Sequence, residues 1–200
     1  MRTQVSRPTL EDLYIQRMLS SAQVARRLKW SEHKVNYWLG KYGIQKRSIS
    51  EAIYAKRNPD GDPFSYREPT NQYEAELKGM GLGLYWGEGT KRSKTSLKLG
   101  NTDPYLIRKF IEFLEVICGA DKKKIRFGLQ VFNDADPRKA RLFWRKHLGV
   151  SENRFTKKTT ITPSRGIGTY RHKNQNGVLM VYFHNKKLRD MICGMIENMR

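Results

Sequence analysis

Between residues 8 and 47 the apolar positions recur at helical spacing. Leu10, Leu13, Tyr14 and Met18 form one stripe. Ser20 and Ser21 offer capping oxygens for a second helix from Ala22 to Leu28, and Ser31 does the same for a third ending near Leu39. Gly43 suits the left-handed cap that closes it. From residue 71 the pattern changes. Asn71 with Glu74 predicts a capping box and a helix start. Residues 95–99 read as a short strand, and Asp103-Pro104 starts a helix bearing Leu106, Ile107, Phe110, Phe113, Leu114 and Ile117. Residues 124–132 alternate, with Ile125, Phe127, Leu129 and Val131 on one side. A helix from Asp136-Pro137 follows, with Leu142, Phe143 and Leu148 among its apolar residues. Strand-like stretches come at 158–162, 168–173 and 177–184, and a last helix starts near Lys186. The expected class is α+β: an all-α module over 1–47, a turn-rich connector over 48–70 and a mixed domain over 71–200.

Within the first module Val24, Ala25, Leu28, Trp30, Val35 and Trp38 take the buried positions of a helix-turn-helix. Arg26, Arg27, His33, Lys34, Asn36 and Tyr37 are left outward, so the third helix presents donors suited to a major groove. The stretch is similar to the helix-turn-helix of site-specific recombinases and small repressors, with Lys29 where such turns usually carry glycine. A three-helix bundle without a nucleic-acid role is the plain alternative.

The 71–89 helix carries Gly79, Gly81, Gly83 and Gly87. Each glycine costs roughly 1 kcal/mol against alanine in a helix interior. Gly79, Gly83 and Gly87 share one face, where a second helix backbone could approach closely. A dinucleotide fingerprint would need a preceding strand, and a P-loop would need Gly-Lys-Ser/Thr where this chain has Gly89-Thr90-Lys91. Gly81 to Gly89, GLGLYWGEG, resembles the motif of the LAGLIDADG homing endonucleases: Gly83, Leu84 and Gly89 match, Gly87 replaces a small alanine, and Trp86 departs from the acidic residue of the name. The resemblance implies a curved antiparallel sheet covered by helices on one face, with DNA on the other. It also implies a homodimer through Gly79, Gly83 and Gly87, and Mg²⁺ (or another divalent cation) on Glu88 from each chain. Gln130 is a candidate for positioning water, and Lys186 or Lys173 for stabilising charge.

Charge fits such a partner. The 39 Lys and Arg against 19 Asp and Glu leave +20, a surplus that calls for a polyanion. Alternation puts Ser96, Lys98, Arg126, Gln130, Arg171 and Lys173 on the outward sheet face. His172 and His184 read as structural or phosphate-contacting residues. Cys118 and Cys193 have no metal-ligand spacing and read as free thiols. No apolar run reaches the ~18–20 residues that span a bilayer. The basic, mixed first residues lack a signal-peptide core, so the expected setting is cytoplasmic, on double-stranded DNA. Two functions follow: a metal-dependent homing endonuclease, or a non-catalytic DNA-binding regulator on the same fold.

Overall fold

The computed structural model describes residues 5–58, 61–163 and 174–199. Its contacts divide the chain into two units, Met1–Asp62 and Pro63–Arg200.

In the first unit, α1 (Arg7–Glu11) runs into a π-helical turn at Asp12–Gln16 and is followed by α2 (Ser21–Leu28), α3 (Glu32–Lys41) and α4 (Ile49–Arg57). Ser20 and Gln23 form a reciprocal capping box on α2, and the Ser31 hydroxyl accepts from Lys34 N to open α3. Leu10, Val24, Val35 and Leu39 are fully buried, packed with Leu13, Tyr14, Ala25, Trp38 and Ile44. Met18 leaves the expected stripe: it follows the π-helical turn in a left-handed conformation, φ 53°, with its side chain exposed. Arg47 braces this corner, its guanidinium 4.4 Å from the Tyr14 ring centre and donating to the Met18 carbonyl at 2.9 Å. The span read as a connector contains α4, capped by Ser48 and Glu51, yet this helix buries no residue and leaves Ile49 82 % exposed.

The second unit holds α5 (Gln72–Glu88), β1 (Leu97–Asn101), α6 (Pro104–Val116), β2 (Ile125–Phe132), α7 (Pro137–Leu148), β3 (Thr160–Thr162), β4 (Val178–Phe183) and α8 (Lys186–Glu197). The strand expected at 168–173 lies outside the described residues. The sheet order is β1-β4-β2-β3. β4 is antiparallel to both its neighbours, but β3 pairs parallel with β2, so the sheet is mixed rather than antiparallel throughout. The reason is the helix between them: a crossover through α7 returns the chain in the same direction. Leu97 and Leu99 of β1, Ile125 to Val131 of β2 at alternate positions, and Leu179, Val181 and Phe183 of β4 share one core with buried residues of α5, α6, α7 and α8. On α7 the buried face is Ala140 and Trp144, while Leu142 is exposed.

Two departures concern the start of α5. Asn71 caps the helix by accepting from Glu74 N at 3.0 Å, but Glu74 does not complete a capping box. Its carboxylate instead takes two bonds from the Arg67 guanidinium, at 2.6 and 2.7 Å, and one from Thr70 N at 2.9 Å. Arg67 belongs to a strap, residues 63–67, laid on the end of α6: Ser65 N donates to the Cys118 carbonyl at 3.0 Å and Arg67 N to that of Ile117 at 3.1 Å. Gly119, at φ 56°, lets Ser65 pass, since a Cβ there would overlap the Ser65 carbonyl. The bonds from Arg67 and then Thr70 hold the Glu74 carboxyl down at about 2, against an ordinary 4.5. A carboxylate lowered on folding stabilises fully above its unfolded value and loses that contribution as pH falls through the folded one. Stability should therefore decline between about pH 4.5 and pH 2, and Glu74→Gln should flatten that part of a pH–stability curve measured by denaturant unfolding.

The glycines of α5 divide into two kinds. A Cβ on Gly81 would lie inside the Phe113 ring, whereas one on Gly79, Gly83 or Gly87 would meet nothing within 4 Å. Close approach inside the chain is thus at Gly81, off the expected stripe. Where α5 is unpartnered, Gly83→Ala should raise the stability of the single chain by about 0.5–1 kcal/mol through helix propensity. Gly81→Ala should lower it by roughly 1–2 kcal/mol, because displacing a fully packed ring outweighs the same gain. Paired urea melts of the two variants read the difference in sign.

Candidate nucleic-acid interface

The face expected to act as a helix-turn-helix is positioned by two caps. Ser20 and Ser31 fix the starts of α2 and α3, and Lys29 ends α2 in a left-handed conformation at φ 54°, ψ 42°, taking the place usually held by glycine. Of the six residues read as outward, Arg26, Arg27, His33 and Tyr37 are exposed. Lys34 is half-buried with its ammonium 4.0 Å from the Trp30 ring centre, and Asn36 is half-buried, accepting from the Ser21 hydroxyl at 3.3 Å. His33, Tyr37 and Lys41 recur every four residues along α3 and form one open stripe.

On the sheet, register sets the outer face. Lys98 of β1, Tyr182 of β4 and Arg126 of β2 form one row, and Gly100, Met180 and Gly128 form the next. Arg126 donates to the carbonyls of Lys123 and Ile125, so its guanidinium is held by backbone. The amide of Gln130 donates to Thr162 Oγ at 2.9 Å. Ser96, expected outward, is buried and shares a hydrogen bond of 3.0 Å with Ser93. Arg171, His172 and Lys173 lie outside the described residues. The half-buried outward residues of β4, Val178, Met180 and Tyr182, were not among those expected here. The alternation of Val178 to Phe183 carries that signal, with apolar and aromatic residues outward where charged and amide side chains were expected.

Glu88 ends α5 and is exposed, with no ion pair among the described residues. Gly89 then bridges to Leu99 of β1, and Thr90 N donates to the Lys98 carbonyl at 2.8 Å, so the carboxylate sits where α5 meets the edge strand. The next loop carries exposed Lys91, Arg92 and Lys94, a basic cluster that the motif-led reading passed over. Arg189 of α8 donates to the Lys91 carbonyl at 2.6 Å and pairs with Asp190 at 2.7 Å. Asp190 also holds Lys186 at 2.6 Å, and these two cations keep its carboxyl below the ordinary aspartate value. Lys186 is therefore near the segment that follows Glu88 but is neutralised locally. Among the described residues neither Gln130 nor Lys186 bonds to Glu88, and no group of three His, Cys, Asp or Glu comes together to hold a metal. Glu88 thus offers one exposed carboxylate, which fits part of a hard-cation site and not a whole one.

Cys118 is buried and Cys193 half-buried, and both are free thiols. No helix among the described residues is long and apolar enough to cross a membrane. The chain matches no protein-family model, no curated protein and no solved structure.

Proposed function

We propose that this chain binds DNA in a sequence-specific way, and that two copies joined through α5 form a LAGLIDADG-type, divalent-metal-dependent DNA endonuclease. The observation that carries this reading is one helix with two properties. Its Gly79, Gly83 and Gly87 face is open, and it ends in an exposed carboxylate, Glu88, that is unpaired among the described residues, in a chain with about twice as many cations as acids. Pairing two such helices would bring two carboxylates together, which supplies what one chain lacks for Mg²⁺. Bound there, the cation would polarise a phosphate and lower the pKa of a water. Glu88 holds the cation in this reading. Lys91, Arg92 and Lys94 neutralise neighbouring phosphates, and Arg26, Arg27, His33 and Tyr37 contact duplex DNA through α2 and α3.

A regulator without cleavage is the second reading, and two contacts favour it. Lys186 is tied to Asp190 and Gln130 to Thr162, so two residues with candidate catalytic roles are engaged elsewhere. Incubation with Mg²⁺ and duplex DNA spanning the junctions of the protein's own gene separates them: staggered double-strand cuts support the nuclease, and specific binding without cuts supports the regulator. Assembly is tested independently. Gly83→Leu should convert a sedimenting dimer into monomers, and a wild-type chain that sediments as a monomer on DNA would remove the paired-helix reading.

A further inference from the structure

The centre of the outer sheet face is built unlike a surface for reading duplex grooves. Base edges in a groove are reached by long polar side chains. Here the central strand β4 presents Val178, Met180 and Tyr182 outward, with exposed His184 directly after it. Two glycines on the flanking strands let these side chains lie down. A Cβ on Gly128 would come within 2.9 Å of Tyr182 Cε2 and 3.1 Å of its hydroxyl oxygen, and one on Gly100 would overlap the Met180 sulfur. The Tyr182 ring therefore lies across the sheet instead of standing from it. The His184 ring is nearly parallel to it, at 5.8 Å between centres and 15° between planes. Phe132, on the same face of β2, is 39 % exposed. Cations flank this aromatic pavement in register: Lys98 on β1, its ammonium 5.3 Å from the Tyr182 ring centre, and Arg126 on β2.

Flat aromatic groups between cations are the recurring means of holding unpaired bases, because every base has a π face and single strands expose it. In a duplex those faces are hidden by stacking. We propose that the outer face of this sheet is a stacking platform for unpaired nucleobases, so that the chain binds single-stranded nucleic acid there, with Tyr182 and His184 as the stacking residues and Lys98 and Arg126 beside the backbone. The proposal rests on the nucleic-acid reading above and changes the form of the ligand at the sheet. Partial loss of hydration and the neighbouring Arg126 lower the His184 pKa from its ordinary value.

The test measures binding of the full chain to labelled oligothymidylate, oligouridylate, an abasic strand of equal length and a duplex, by fluorescence anisotropy. Stacking predicts that the strands with bases bind at least several-fold tighter than the abasic strand at the same salt. Tyr182→Ala should weaken oligothymidylate binding about 5- to 150-fold, and Tyr182→Phe should keep it within about twofold because the ring remains. His184→Ala provides a second, more exposed position should Tyr182→Ala melt early. Preference for thymidylate or uridylate identifies the strand as DNA or RNA. Equal affinity for abasic and base-bearing strands, or wild-type binding by both alanine variants, would overturn the platform while leaving duplex binding by α3 in place. A chain that binds neither single strand nor duplex would remove the nucleic-acid reading as well.

Discussion

Glu88→Gln should abolish Mg²⁺-dependent cleavage and leave DNA affinity unchanged or slightly higher. The exchange keeps size and hydrogen-bonding capacity while removing the charge that a hard cation requires. Because Glu88 is exposed and unpaired among the described residues, little in the fold depends on it. A surface change of this kind moves stability by no more than about 0.5 kcal/mol. That separation makes the variant informative: loss of cleavage cannot be assigned to unfolding when the melting curve overlays the wild type. Removing one metal-held carboxylate should cost at least 100-fold in cleavage rate, whereas a merely solvated glutamate would cost nothing. Affinity should not fall, since a negative group beside phosphates has gone. Cleavage at the wild-type rate by a folded Glu88→Gln chain would end the metal-ligand assignment, whatever the fate of the DNA-binding one.

Affinity for duplex DNA should fall about 10³- to 10⁵-fold between roughly 50 and 200 mM salt, the range for a protein meeting six to ten phosphates. The chain has the charge for it: of the +20 total, counting Lys and Arg against Asp and Glu gives +6 in residues 1–62 and +14 in residues 63–200. Both units should contribute to the slope of log affinity against log salt. Replacing Lys91, Arg92 and Lys94 by glutamine should reduce that slope by about 0.9 for each cation that meets a phosphate. A slope near zero in the wild type would mean that this charge serves another polyanion or none. An unchanged slope in the triple variant would move the phosphate contacts away from the loop after α5.

Much of the fold was legible in the sequence because it is written in local signals. The caps at Ser20, Ser31, Asn71, Asp103 and Asp136 mark helix starts that the structure keeps, since each bond is made within three residues of the cap. Alternation in β2 sorted its core residues for the same reason. What escaped depends on contacts distant in sequence. The fate of Glu74 was hidden because its partners precede the helix and are anchored through the strap on α6. The parallel pairing of β3 depends on a crossover that no short window contains. Gly81 could be told from Gly83 only once Phe113 was in place. For the candidate site, the exposed placement of Glu88 at the end of α5 and of His33 and Tyr37 on α3 was readable from spacing, whereas the flat lie of Tyr182 required the glycines of two neighbouring strands.

The strap at residues 63–67 also decides where the protein can be divided. Composition and motif together would place the cut at Asn71, just before the glycine helix. Phe64 and Tyr66 pack against the core of the second unit, and the strap bonds directly to the carbonyl of Cys118, whose thiol burial pushes up to about 12. A fragment starting at Asn71 would therefore open the end of α6 and strip Glu74 of its Arg67 and Thr70 partners. One starting at Pro63 keeps the plug. The proline-bounded stretch that looks like dispensable tether is the cork of the domain it opens.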